Sequence, residues 1–169
     1  MALEIERKFL VVGSAWRAEI VRSVEMRQGY LTREAGTQEA GRASVRVRIE
    51  SGAARLNIKA AVVGAARAEY EYAVPLDEGR EILDTLCFGR LEKVRHYIER
   101  DGLVWEVDEF LNDNAGLIVA EVELTSVDQD VVRPAWLGRE LTSDRRYYNH
   151  YLALHPWRSW PAADRADAD

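Results

Sequence analysis

Residues 4–8 read Glu4-Ile5-Glu6-Arg7-Lys8. Side chains in a strand alternate faces, so Glu4, Glu6 and Lys8 share one face while Ile5, Arg7 and Phe9 share the other. Neighbours on one face lie roughly 7 Å apart along a strand. Two carboxylates and an ammonium at that spacing can hold a divalent metal and a phosphate side by side. One such strand is weak evidence; its weight comes from the rest of the chain, which repeats the pattern.

Residues 43–50 (ASVRVRIE) alternate strictly, with Val45, Val47 and Ile49 against Arg46, Arg48 and Glu50. Residues 55–60 set Asn57 and Lys59 against Leu56 and Ile58. Glu69 and Glu71 fall together in residues 67–74, and Lys93, Arg95 and Tyr97 in residues 91–100. Glu106 and Asp108 share a face in residues 103–111, as do Glu121 and Glu123 in residues 117–124. With residues 3–12 and 24–32 this makes about eight strands. Ser51-Gly52 reads as a turn and Asp101-Gly102 as a two-residue hairpin. Helices are few. Ser14 is expected to cap a short one ending near Val21, and residues 76–86 form an amphipathic one with Ile82, Leu83 and Leu86 on its apolar face. Ser143-Asp144 is expected to cap a last helix to about Leu154, with Pro156 as its stop. Residues 33–42 and 62–66 read as loops. Residues 1–156 are read as one domain, and residues 157–169 as a tail rich in Ala and Asp and disordered at its end.

Alternation alone is what any antiparallel sheet with one wet face produces. Segregation by sign is a stronger signal. Arg46 and Arg48 share one strand and Lys93 and Arg95 another, while Glu69 with Glu71, Glu106 with Asp108, and Glu121 with Glu123 are purely acidic. Like charges side by side on one face are mildly destabilising, so solubility alone gives little reason to choose them. The opposite faces are apolar and demand a core. About eight antiparallel strands can close into a barrel. If the charged faces point inward, acidic and basic strands meet across a cavity that must be wet, internally paired or filled by a charged ligand. A polyphosphate with its divalent metals satisfies both signs. Carboxylates with no His or Cys cluster favour Mg2+ or Mn2+ over zinc. His96, His150 and His155 show no ligand spacing and read as structural or surface residues, with His96 on the apolar side of its strand beside Val94 and Ile98.

The 169 residues are 47% hydrophobic and 31% charged with a net charge of −6, which fits a soluble globular chain and argues against nucleic acid or an anionic membrane as partner. Cys87 is the single cysteine, so no internal disulfide forms, and it reads as a small buried apolar residue. Glu4, Glu6, Arg7 and Lys8 interrupt any apolar leader, and no stretch is long and apolar enough to span a membrane. A cytoplasmic location is expected. The apolar outer faces, with few helices to cover them, suggest a homodimer.

These residues resemble a known family. Glu4-Ile5-Glu6-Arg7-Lys8-Phe9-Leu10 matches the E-x-E-x-K signature of the CYTH superfamily, the triphosphate tunnel metalloenzymes. The resemblance continues through Gln28-Gly29-Tyr30-Leu31, Arg46-Val47-Arg48, Ile58-Lys59, Glu69-Tyr70-Glu71, Lys93-Val94-Arg95, Trp105 to Phe110 and Ala120 to Leu124, and ends near Pro156. It implies an α+β chain dominated by β, an eight-stranded closed antiparallel barrel with a few flanking helices, binding triphosphate inside. Phosphate would be held by Lys8, Arg46, Arg48, Lys59, Lys93 and Arg95. One or two Mg2+ or Mn2+ ions would be held by Glu4, Glu6, Asp108, Glu121 and Glu123. Glu69, Glu71 and Glu106 would orient water or support the metal ligands from behind, with Glu4, Glu6 and Lys8 also counted as catalytic. The family includes inorganic, thiamine and RNA triphosphatases and class IV adenylate cyclases. The single-domain length and the EIERKFL opening look most like the bacterial inorganic triphosphatases, and the length leaves no room for the CHAD domain of longer members. The implied reaction is metal-dependent hydrolysis of tripolyphosphate to pyrophosphate and phosphate. The alternatives are a class IV-type adenylate cyclase, a thiamine or nucleoside triphosphatase, and a non-catalytic polyphosphate-binding module.

Overall fold

The computed structural model describes residues 2–33, 43–61 and 65–165. Most of the two expected loops, at 33–42 and 62–66, and the end of the expected tail lie outside the described residues. The strands are β1 (Ala2–Val11), β2 (Arg22–Tyr30), β3 (Ala43–Glu50), β4 (Ala53–Ala60), β5 (Ala66–Val74), β6 (Gly89–Arg100), β7 (Leu103–Phe110), β8 (Ile118–Glu123) and β9 (Leu137–Glu140). The helices are α1 (Leu76–Thr85), α2 (Asn149–Leu154) and α3 (Ala162–Arg165).

Strands β1 to β8 form the closed antiparallel barrel that the alternation implies, in the order β5-β4-β3-β2-β6-β7-β8-β1, with β1 returning to β5. Closure falls on the strand that carries Glu4, Glu6 and Lys8. One edge of β1 pairs with β8 from Glu6 to Leu10. The other pairs with β5 from Ala2 to Ile5, then with β9 from Phe9 to Val11. At the hairpin joining β6 to β7, Asp101 and Gly102 have φ of 52° and 74°, the left-handed pair that matches the twist of the flanking strands.

Two apolar clusters fix the barrel. The first lies outside the wall: Ile5, Phe9, Ile98, Trp105, Val107, Ala120 and Val122 are covered by Trp16, Trp136 and Leu137. The second plugs one end. Along β1, β6, β7 and β8 the inward face changes from charged to apolar: Lys8 gives way to Leu10, Lys93 to Leu91, Asp108 to Phe110 and Glu121 to Val119. These apolar positions meet Tyr147, Leu152, Ala153, Trp157 and Trp160. Packing therefore continues beyond Pro156, with Trp157 and Trp160 buried in residues read from sequence as tail. On the outer wall α1 rides close over β4: a Cβ at Gly79 would stand 2.3 Å from the Cβ of Ala54.

Three local readings change. Ser14 makes no side-chain cap, and residues Ala15–Glu19 form a 3-10 turn, because β2 begins at Arg22 and Trp16 must turn onto the wall. Asp144 does cap, accepting from the Arg146 amide at 3.2 Å, but only the 3-10 turn Arg145–Tyr147; Tyr148 is extended and α2 starts after it. Strand β9 falls in a stretch that reads as loop, since four residues including Gly138 give too little alternation.

Candidate active site in the barrel lumen

The charged faces enclose a cavity of about 460 Å3. Twelve of the fourteen residues expected from sequence line it: Glu4, Glu6, Lys8, Arg46, Arg48, Lys59, Glu69, Glu71, Arg95, Glu106, Glu121 and Glu123. Lys93 and Asp108 do not. They point to the same side of the sheet but lie where the apolar plug begins, and their side chains are 1% and 0% exposed. Their Nζ–Oδ2 separation is 2.5 Å. Burial, then the nearby Arg95, brings the Lys93 ammonium down to a pKa of about 8 against the pull of Asp108. As they stand, neither the expected phosphate contact of Lys93 nor the expected metal contact of Asp108 reaches the lumen.

Strand register explains the pairing above that floor. Asp108 takes a fork from Arg95, Nε to Oδ1 and Nη2 to Oδ2, each at 2.7 Å. Arg95 also reaches Glu121 at 3.0 Å and contacts Glu106. Lys8 lies opposite Glu121 on the β1–β8 ladder and ion-pairs with it at 2.8 Å, while donating to the Tyr147 carbonyl at 3.2 Å. Lys59 holds Glu4 at 2.7 Å and Glu69 at 3.2 Å. Arg67 pairs with Glu6, and Arg48 reaches Glu71 at 3.1 Å. Among the described residues the lumen thus carries seven cations (Lys8, Arg46, Arg48, Lys59, Arg67, Arg95 and Arg145) and seven carboxylates, most of them turned to one another. This is the internally paired form of a charged interior.

The pairing is uneven. Burial opposes the Glu121 carboxylate, but Lys8 and Arg95 hold its pKa well below the usual carboxylate range. Glu106 behaves oppositely: burial raises it, and Arg95 only partly offsets that. Arg48 is pulled below the usual guanidinium value by burial, then by Arg46, whereas Arg46, against its own burial, is held above it by Tyr30 and Glu69. The Nε atoms of both arginines are buried without an acceptor among the described residues.

Ten further described residues line it outside the fourteen expected: Tyr30, Ser44, Ala60, Ala61 and Arg67 from the strands and their ends, and Arg145, Tyr148, Asn149, His150 and Tyr151 from the closing segment. Arg67 has a usable signal, since it precedes Glu69 by two positions and so shares its face. His150, expected as structural or surface, stacks on Tyr30 with ring centroids 4.5 Å apart and faces the cavity. It and its neighbours enter through the docking of the closing segment, which no local pattern announces.

The donor chemistry of the lumen fits a hard divalent cation, because its acids offer only carboxylate oxygens. Among the described residues no three acids converge on one point. The reason is visible: Glu4, Glu6 and Glu121 are turned to Lys59, Arg67, Lys8 and Arg95.

Known proteins resemble the chain over nearly its whole length. An inorganic triphosphatase of Acetivibrio thermocellus is 40% identical over 161 residues, spanning 95% of this chain and 99% of that protein. An inorganic triphosphatase of Nitrosomonas europaea is 34% identical over 162 residues, spanning 89% and 97%. A crystal structure of an inorganic triphosphatase superposes with a TM-score of 0.63 at 32% identity, covering 91% of this chain and 96% of that one. A Hippeastrum protein described as a putative adenylyl cyclase with dominant triphosphatase activity superposes with a TM-score of 0.55 at 16% identity, over 73% and 80%, which shows the fold alone. The CYTH domain profile matches residues 2–151, and with relatives this similar and this completely covered, the chain belongs to the CYTH domain family.

Proposed function

We propose that this protein is an inorganic triphosphatase that hydrolyses tripolyphosphate to pyrophosphate and phosphate in the barrel lumen. The observation that carries the reading is the closed lumen in which cations from β1, β3, β4, β5 and β6 ion-pair with carboxylates of the same wall. An oligophosphate offers those cations a better set of acceptors than the carboxylates do. Arg46 and Arg48, whose buried Nε donors have no acceptor among the described residues, are the first to take it.

Lys8, Lys59, Arg67 and Arg95 then turn from their carboxylates to phosphate oxygens. They orient the chain and stabilise charge developing on the transferred phosphoryl group. Each turn frees an acid. Glu4, Glu6, Glu121 and Glu123 are the residues that would hold Mg2+ or Mn2+, which when bound neutralises phosphate charge and polarises the phosphoryl oxygens. Glu106, whose affinity for a proton is raised by burial, accepts the proton of the attacking water. Glu69 and Glu71 orient that water. Asp108, itself paired with Lys93, holds Arg95 from beneath. The described residues include no helix long and apolar enough to cross a membrane, and with Cys87 free we assign the protein to the cytoplasm.

Product analysis tests the reading. From tripolyphosphate, equimolar pyrophosphate and phosphate are expected. From ATP, any turnover should yield ADP and phosphate; cyclic AMP with pyrophosphate would assign the lumen to a cyclase instead. Tight calorimetric binding of tripolyphosphate without turnover in any metal would make it a binding module.

A further inference from the structure

Asn57 is fully buried on β4, among charged neighbours, and lies behind the lumen lining. Across the β3–β4 ladder it faces Arg46, and across the β4–β5 ladder it faces Glu71. Its amide nitrogen donates to two carboxylates at once, Glu69 Oε1 at 2.9 Å and Glu71 Oε2 at 2.6 Å. Ionised carboxylates only accept, so the nitrogen must face them; the flipped amide would set three acceptors against one another. That orientation leaves the Asn57 Oδ1 buried without a partner, an arrangement that needs a compensating purpose.

The oxygen of Glu69 that Asn57 holds is the one nearest Arg46. It stands 3.9 Å from the Arg46 Nη2, beyond hydrogen-bond reach. The corresponding oxygen of Glu71 takes both Asn57 and Arg48, the latter at 3.1 Å, while its other oxygen takes Arg55 at 2.8 Å. Asn57 thus competes with the arginines for their own counter-ions.

We infer that Asn57 is a positioning residue that tethers Glu69 and Glu71 and keeps Glu69 from closing on Arg46, so that Arg46 stays open to a phosphate group of the substrate. The inference rests on the triphosphatase reading and deepens it. Without the tether, Glu69 swings the short distance to Arg46 and competes with phosphate for it. The effect on Arg46 is read in binding, apart from any change in turnover that releasing Glu69 and Glu71 brings.

The test is a calorimetric titration of the full-length protein with tripolyphosphate in EDTA, so that turnover plays no part, with melting temperatures taken in parallel. Asn57→Ala is expected to weaken binding about tenfold, equal to about 1.4 kcal/mol. Asn57→Thr, which suits a strand and keeps one donor, should weaken it by about threefold and serves if the alanine variant does not fold. The decisive comparison is N57A in an E69Q background, where the competing charge is gone. There the further loss should shrink to within about twofold. Binding by N57A and N57T equal to wild type, or an undiminished loss in the E69Q background, overturns the inference while leaving the triphosphatase reading intact. Wild-type protein that binds no tripolyphosphate overturns both.

Discussion

Glu6 and Glu123 stand directly opposite one another on β1 and β8, and both side chains face the lumen. Like charges at opposed positions destabilise a sheet. Arg67 takes up Glu6, while Glu123 lies exposed at the lumen wall. A sheet built only to fold has no use for this pair; a cation site has.

Glu123→Gln separates the two demands. It should lower triphosphatase activity by about a hundredfold or more while leaving the melting temperature unchanged or slightly raised, because a repulsive pair is removed. Full activity with an unaltered metal requirement would remove Glu123 from the site.

Arg48→Gln tests the β3 wall of the lumen. Arg48 and Arg46 repel one another two positions apart, and burial adds to the cost. The variant should raise KM for tripolyphosphate about tenfold to a hundredfold, with stability to urea unchanged or improved. A large loss of stability with KM unchanged would make Arg48 structural.

Arg7 faces outward and tests the wall. Its guanidinium forks onto Glu140 of β9, at 2.9 and 2.6 Å, and ties that short strand to β1. The Arg7 hydrogen bond, against a smaller effect of burial, holds the Glu140 carboxyl below its usual range. A lowered carboxyl contributes stability that is complete above its unfolded value and is lost as pH falls through the folded one. Both groups are partly exposed, so water screens the pair to about 0.5–1 kcal/mol. Arg7→Gln should lower the unfolding free energy measured in urea by that amount at pH 7 and not at all near pH 2, with triphosphatase activity retained. An equal shift at both pH values would assign the loss to packing of the Arg7 stem.

Gly79→Ala addresses the packing of α1. Alanine favours a helix over glycine by about 1 kcal/mol, which alone predicts stabilisation. The added methyl would meet Ala54 at 2.3 Å, so helix and sheet must separate. A net loss of about 1–3 kcal/mol is expected from denaturant unfolding. A stabilised variant would show that α1 sits loosely on the wall.

The barrel was legible because its signal is local and repeated. In Val45 to Ile49 and Leu103 to Asp108 the alternation of each strand sets its own inner and outer faces, so twelve lining residues can be named without knowing which strands pair. Depth along the axis is not a property of any one strand. Lys93 and Asp108 have the right face but lie level with the apolar plug, and only the register with Phe110 and Val119 reveals it. Tyr148 and His150 depend on how the closing segment docks. Trp157 and Trp160 lie in a stretch whose composition reads as tail, yet they complete the plug.

The central claim is that the ion pairs of the lumen stand where triphosphate and a divalent cation bind for hydrolysis. The most direct test is phosphate release from tripolyphosphate by the full-length protein in Mg2+ or Mn2+, in EDTA, and after the metal is restored. Release that requires the metal, stops in EDTA and returns on restoration is the predicted result. No release in either metal, or release undiminished in EDTA, would contradict the account.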